Sequence, residues 1–189
     1  GQRIDYDVAA SVVVRRPNRL RAERIGENVS QVFYYDGKTL TLYDPAEKVY
    51  AAEPAPTNIE GLLDYTRESL GLVIPASDLV YSNAFTILMQ GVTSAMVVGT
   101  ARIGDIDCNH LAFRKADVDF QVWVAEGDKP LPCKYVVTDT STPALISTVT
   151  VMSDWDFAPV GDNAFEFKPP AAAQEIPFIP LDKTRAFGN

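Results

Sequence analysis

The chain has 189 residues, a hydrophobic fraction of 47% and a formal net charge of −8. Its length and composition fit one globular domain with its own core. The acidic charge argues against nucleic-acid binding, which depends on basic side chains that neutralise phosphates. No apolar run reaches the length of a membrane span, so we expect at most peripheral membrane contact.

The first half of the chain predicts a series of β-hairpins. Residues 4–25 read as two strands joined near Arg16-Pro17-Asn18. A three-stranded meander follows from Val32 to Ala52, with turns at Asp36-Gly37 and Asp44-Pro45. Aspartate followed by glycine favours a two-residue type I′ turn, in which both central residues need positive φ.

The predicted turns fix which side chains share a face of the meander. A two-residue loop places Tyr35 opposite Lys38, Phe33 opposite Leu40 and Gln31 opposite Leu42. We expect Leu42 to face Val49 across the second turn. Because side chains alternate along a strand, one face carries Phe33, Tyr35, Leu40 and Leu42.

The hydrophobic period changes to a helical one between about residues 57 and 91. Thr57-Asn58-Ile59-Glu60 has the spacing of a capping box with Thr57 as the N-cap. Leu62 and Leu63 lie on the apolar face of this helix, which we expect to stop at Gly71. A second helix, either continuous or broken, is expected between Pro75 and Gly91, and it carries Leu79, Phe85, Ile87 and Leu88.

After Gly91 the sequence returns to strand patterns separated by glycine-rich turns. The predicted strands are 95–103, 106–114, 120–125, 133–138, 145–155 and 164–168. The tail at about 169–189 is rich in proline and is expected to be extended. Strands on both sides of a helical insert predict an α+β fold in a single domain, residues 1–189, with one antiparallel sheet and helices on one face.

His110 is the only histidine, so catalysis or metal binding through histidine must use it. The predicted hairpin places His110 opposite Trp123, an aromatic cross-strand pair, which favours a structural role. No nucleophile elbow, phosphate-binding loop or zinc pattern occurs. We therefore predict no catalytic residue, no metal and no cofactor, and an enzyme such as a hydrolase is the third-ranked hypothesis.

Cys108 and Cys133 lie in neighbouring predicted strands, and the sequence leaves their pairing open. A simple meander puts one strand between them and separates their Cα atoms by roughly 9.6 Å, which exceeds disulfide reach. A bulge or a change of register would shorten that distance.

Five arginines between residues 15 and 24 form the one basic cluster of the chain. Such runs usually form a solvated face. The functional alternative is attraction of an anionic partner or a lipid headgroup. The cluster comprises Arg15, Arg16, Arg19, Arg21 and Arg24.

Several motifs, taken in order, resemble those of the LolA-like periplasmic carriers that move lipoproteins between membranes. These are Val14-Arg15-Arg16-Pro17-Asn18, Asp36-Gly37-Lys38-Thr39-Leu40, Tyr43-Asp44-Pro45 and Phe165-Glu166-Phe167-Lys168-Pro169-Pro170. An uncharacterised family of predicted periplasmic proteins with that fold is more similar still, through 110–114, Gln121-Val122-Trp123 and Pro130-Leu131-Pro132. The resemblance covers nearly the whole chain.

The resemblance implies an unclosed β-barrel, which is a strongly curved sheet with a helical lid over its concave face and a cavity for acyl chains. It also implies that Arg16 lies at the cavity mouth and contacts the lid. The residues expected to line the cavity are Phe33, Tyr35, Leu40, Leu42, Leu62, Leu63, Ile87 and Leu88.

The sequence therefore predicts a non-enzymatic periplasmic carrier that binds a lipid or a lipoprotein acyl chain. We expect its export signal to have been removed. The alternative is an interaction or sensor domain with a filled core, whose partner is another protein of the cell envelope.

Overall fold

The computed structural model describes residues 4–72 and 74–178. Contacts divide the chain into two compact units, and each is described below by itself. Unit 1 comprises Gly1–Val73 and Ala158–Asn189, and unit 2 comprises Ile74–Phe157. The predicted helical insert is thus shared between the two units. Whether residues 1–189 form a single domain, as the sequence predicts, depends on how the two units are arranged, so it stays a prediction.

Unit 1 contains a six-stranded sheet built from hairpins, as predicted for residues 4–52. Its strands run in the order β1, β2, β3, β4, β5 and β11, and only the two-residue β11 runs parallel to its neighbour. The strands are β1 (Val8–Arg15), β2 (Arg19–Gly26), β3 (Val29–Tyr35), β4 (Thr39–Asp44), β5 (Val49–Pro54) and β11 (Gln174–Glu175).

The meander has a different register from the predicted one. Tyr35 pairs with Leu40, and Leu42 pairs with Phe33 on one side and Ala51 on the other. The turn is longer because Asp36 Oδ1 accepts hydrogen bonds from the amides of residues 38 and 39, and only Gly37 of the turn has positive φ. A shift of two residues keeps every side chain on its predicted face.

Helix α1 (Ile59–Glu68) confirms the predicted first helix but begins one residue later than the capping box indicated. Asn58 is the N-cap, and its side chain accepts a hydrogen bond of 2.7 Å from the amide of Gly61. Thr57 is therefore not the cap, and Glu60 lies in the first turn. The helix ends at Glu68 with Ser69 as its C-cap, and the predicted stop Gly71 follows two residues later with a φ of +65°.

The C-terminal segment of unit 1 covers the sheet face opposite to the one that carries Tyr35. The ring of Phe167 lies 5.3, 5.3 and 5.0 Å from those of Tyr34, Tyr43 and Tyr50, respectively. Phe165 is fully buried. The predicted strand at 164–168 is wrong, because this segment packs through its aromatic rings after a short 3₁₀ turn at Asp162–Ala164.

Unit 2 contains a five-stranded antiparallel sheet in the order β10, β9, β8, β7, β6. Its strands are β6 (Ser94–Ile103), β7 (Ile106–Arg114), β8 (Val118–Ala125), β9 (Pro132–Asp139) and β10 (Ser147–Val151). The predicted strand at 145–155 is too long at both ends. Leu145 and Asp154 have φ values of +50° and +57°, which interrupt an extended strand.

The helical segment of unit 2, whose continuity the sequence left open, is broken into a 3₁₀ turn at Ser77–Leu79 and the short helix α2 (Ala84–Met89). Leu79 and Leu88 pack against a cluster of Phe120, Val122 and Tyr135 on one face of the sheet. Asp78 of the 3₁₀ turn forms a hydrogen bond with Tyr135, which holds the turn against this face.

Cys108 and Cys133 form a disulfide on the opposite face of the unit 2 sheet, beside Trp123. Their Cα atoms lie 7.0 Å apart, although β8 separates the two strands. The pairing of β8 with β9 shifts between Trp123 and Val124. This irregularity is the kind that brings the two cysteines closer than a regular meander allows.

The described residues are thus mostly β-strand with two short helices, which agrees with an α+β class. Their sheets are unclosed, and the prediction of one continuous antiparallel sheet is wrong. Within unit 1, the two-residue β11 of the tail pairs with the start of β5.

Candidate functional site

The face of the unit 1 sheet that carries Tyr35 lies under helix α1, and we call it the α1 face. Leu20, Tyr35, Leu40 and Glu53 are successive cross-strand partners, so their side chains share this face. The hydroxyl of Tyr65 in α1 lies 2.8 Å from a carboxylate oxygen of Glu53. This hydrogen bond ties α1 to that side of the sheet and raises the pKa of Tyr65.

The α1 face is aromatic and aliphatic. Its second row of cross-strand partners contains Ala22, Phe33, Leu42 and Ala51. The buried residues of α1 are Ile59, Leu62, Leu63 and Thr66. The apolar side of the helix and the apolar side of the sheet therefore form one core within unit 1.

Six of the eight predicted lining residues belong to this core. Tyr35, Leu40 and Leu62 are exposed to only 0%, 1% and 2%, Phe33 and Leu63 are also buried, and Leu42 is partly buried. Burial raises the pKa of Tyr35, whose hydroxyl donates a hydrogen bond to the carbonyl of Pro56. These side chains are packed in this conformation, so access for a ligand requires α1 to move.

Ile87 and Leu88, the other two predicted lining residues, lie in α2 of unit 2 and are partly buried. Leu88 packs against the core of its own sheet. A lining shared between α1 and α2 stays a prediction.

Arg16 lies beside the first turn of α1. Its Nη1 is 3.0 Å from Oε1 of Glu60, and the amide of Ile59 donates a hydrogen bond of 3.0 Å to the carbonyl of Pro17. The turn between β1 and β2 therefore holds the N-terminal end of α1 through two polar contacts.

Most arginines of the basic cluster form ion pairs with acidic residues of unit 1. Arg15 and Arg19 both contact Asp162, and the hydrogen bond from Arg15 lowers the pKa of that carboxyl. Arg21 pairs with Glu23 at 2.6 Å. These contacts favour the interpretation of the cluster as a structural surface over a general anion-attracting patch.

An apolar strip on the edge strand β1 extends the α1 face and was not singled out from the sequence. Val8, Val12 and Val14 are exposed to 48%, 55% and 37%, and their partners in β2 place them on the α1 face. The sequence signal was the run of three valines at 12–14, a composition that is typical of strands. Only the topology reveals that this strand lies at the edge of its sheet.

A family model described as "Predicted periplasmic protein (DUF2092)" matches residues 1–179. The chain belongs to this family. It is a periplasmic protein, as the sequence predicted. No curated protein matches it. Within the described residues of this DUF2092 member, no helix is long and apolar enough to cross a membrane.

His110, which was considered for catalysis, and the nearby Asp119 take part in contacts within unit 2. His110 stacks on Trp123 with a ring separation of 3.9 Å, which confirms the predicted cross-strand pair. Its Nε2 lies 2.8 Å from Oε1 of Gln121. Asp119 forms an ion pair with Arg114. In the described part of the chain, no three His, Cys, Asp or Glu side chains form a group suited to a metal ion.

Proposed function

We propose that this DUF2092 protein is a non-enzymatic periplasmic carrier that binds a lipid or a lipoprotein acyl chain between the unit 1 sheet and α1. The observation that carries the proposal is the α1 face, which a single ten-residue helix covers. The resemblance of the sequence to LolA-like carriers supports the same role. In this interpretation the described conformation, in which α1 packs on the sheet, is the closed form.

A helix of this length is suited to act as a lid. An isolated helix shorter than about 12 residues is marginal in water, so α1 depends on its contacts with the sheet. Polar attachments of α1 lie at the rim, at Arg16, Pro17 and Glu53. Lifting α1 exposes Phe33, Leu40 and their neighbours.

An acyl chain can replace the contacts that are lost when α1 moves. Transfer of each CH₂ group from water to an apolar surface contributes roughly 0.8 kcal/mol. Such binding requires area rather than a precise set of polar groups, which explains the lack of a distinctive motif. The exposed valines of β1 continue the same face and supply an entry surface.

The tight packing of Tyr35, Leu40 and Leu62 favours a second candidate, an interaction or sensor domain with a filled core. In that case the apolar side of α1 is permanently part of the core, and the partner is an envelope protein. The two functions differ in whether a hydrophobic small molecule enters unit 1.

The test is recovery of lipid from protein purified from the periplasm, followed by titration with a neutral fluorescent acyl probe. We expect co-purifying lipid, and we expect Leu42→Arg to weaken probe binding at least tenfold because it places a charge on the α1 face. Thr39→Arg, on the same strand but the opposite face, is the matched control. Absence of lipid together with absence of probe binding by the unmodified protein contradicts the proposal.

A further inference from the structure

Arg24 differs from the other members of the basic cluster because it has no acidic partner in the part of the chain that the structure describes. Its Nε lies 2.9 Å from Oε1 of Gln31, which also accepts a hydrogen bond from its Nη2. Its guanidinium carbon lies 5.6 Å from the ring centroid of Phe33. The adjacent Glu23 points to the opposite face, where it pairs with Arg21.

The position of Arg24 places this cation on the α1 face. Arg24 pairs with Ala10 on one side and Gln31 on the other, and the next row of the same face contains Val12, Ala22 and Phe33. The charge therefore stands at the border of the apolar surface. Partial burial lowers the pKa of Arg24, because the charged form loses part of its hydration.

A half-buried cation that contacts Gln31 and Phe33 among the described residues is suited to an anion that arrives with the ligand. Guanidinium has five N–H donors, and the hydrogens on Nη1 have no acceptor among the described residues. Its planar geometry matches a carboxylate, and charge-assisted hydrogen bonds of this type are strong. The exposed valines beside it offer an apolar path for an attached chain.

We propose that Arg24 recognises the carboxylate of a long-chain fatty acid whose alkyl chain lies along the α1 face. This inference rests on the proposed function and narrows its ligand class to single-chain anionic amphiphiles. Arg24 is then the residue that sets headgroup specificity, whereas the apolar rows supply most of the affinity.

The test compares palmitate with hexadecanol, which has the same chain but no charge, by calorimetric titration of the full chain. In the unmodified protein palmitate should bind more tightly. Arg24→Met retains an apolar stem without the charge, so we expect it to weaken palmitate binding by about tenfold and leave hexadecanol binding unchanged. Arg24→Lys should restore part of the palmitate affinity.

Arg21→Met is the matched control, since it removes an arginine from the opposite face of the same strand. Thermal unfolding monitored by circular dichroism checks that each variant folds. Equal affinity of the unmodified protein for both ligands, or equal losses for both in Arg24→Met, overturns the headgroup role while the proposed lipid-binding function stands. Failure of the unmodified protein to bind either ligand contradicts that function as well.

Discussion

Gly37 is the residue at which the turn between β3 and β4 meets the turn between β1 and β2. Its φ is +90°, and a Cβ there would lie 2.5 Å from Nη1 of Arg19 and 2.6 Å from Nδ2 of Asn18. The backbone conformation favours glycine, and a Cβ would force the side chains of Asn18 and Arg19 to shift. The position matters for the site because Arg16 and Pro17, which hold α1, belong to the neighbouring turn.

Gly37→Ala should therefore destabilise the protein through two effects. The left-handed backbone alone costs about 1 kcal/mol or somewhat more with a side chain present. Displacement of Asn18 should add about 1 kcal/mol, because Arg19 loses its hydrogen bonds to that residue. Urea unfolding measures the sum.

Gly127→Ala is the control for the backbone effect. Gly127 has a similar φ of +98°, but a Cβ there meets no atom within 4 Å. Equal losses of unfolding free energy in the two variants would show that the contact with Asn18 contributes nothing.

Tyr135 gives the unfolding free energy a dependence on alkaline pH. Burial, together with the charge of Asp78 and the hydrogen bond to it, raises the pKa of Tyr135 above its ordinary value of 10.0. The neutral phenol is favoured in the folded state, so its stabilisation is complete below pH 10.0 and is lost as pH rises toward the raised pKa.

We expect Tyr135→Phe to be less stable at neutral pH but less sensitive to alkali. The slope attributable to this one group is about 1.4 kcal/mol per pH unit above pH 10. Unfolding curves collected across this range measure the slope. Tyr6→Phe is the control, because the side chain of Tyr6 is exposed. An unchanged slope in Tyr135→Phe would contradict the assignment.

At the scale of elements, α1 is the part of unit 1 whose mobility decides the proposed function. Arg16→Leu removes the ion pair between Arg16 and Glu60, and both of these side chains are partly exposed. Such pairs contribute up to about 1 kcal/mol, so amide hydrogen exchange in α1 should become several-fold faster while the sheet stays protected.

Arg67→Leu is the matched control for this experiment. It removes the ion pair between Arg67 and Asp64, which lies within α1 and does not reach the sheet. If the two variants accelerate α1 exchange equally, Arg16 has no special role in holding the lid.

Sequence reasoning predicted these elements well where local chemistry decides them. The face shared by Phe33, Tyr35, Leu40 and Leu42 followed from alternation, which an error of two residues in register leaves intact. The register itself depended on the side chain of Asp36 capping the turn. The N-cap of α1 is Asn58 and not the predicted Thr57, because threonine and asparagine are both suitable at an N-cap position.

Features that depend on tertiary packing were not predictable from local patterns. The segment around Phe167 reads as a strand, yet in the fold its ring packs on three tyrosines. The cysteines required an irregular register to approach each other. Arg24 stands out only because the folded sheet directs the neighbouring Glu23 to the opposite face. Counting charges along the sequence does not reveal which acidic side chains lie near an arginine.

At the scale of the whole molecule, the chain is a periplasmic protein with two sheets and one disulfide between described cysteines. The oxidising periplasm is the kind of compartment in which such a bond persists. The proposed binding activity is assigned to unit 1. The second unit has its own packed core around Phe120 and Tyr135.

The most direct test of the account is amide hydrogen exchange of the full chain with and without palmitate. We expect the ligand to accelerate exchange in α1, because the lid lifts, while β8 and β9 of unit 2 exchange as before. Palmitate binding that leaves α1 unchanged, or the absence of any binding, would contradict the claim that α1 covers a hydrophobic ligand site.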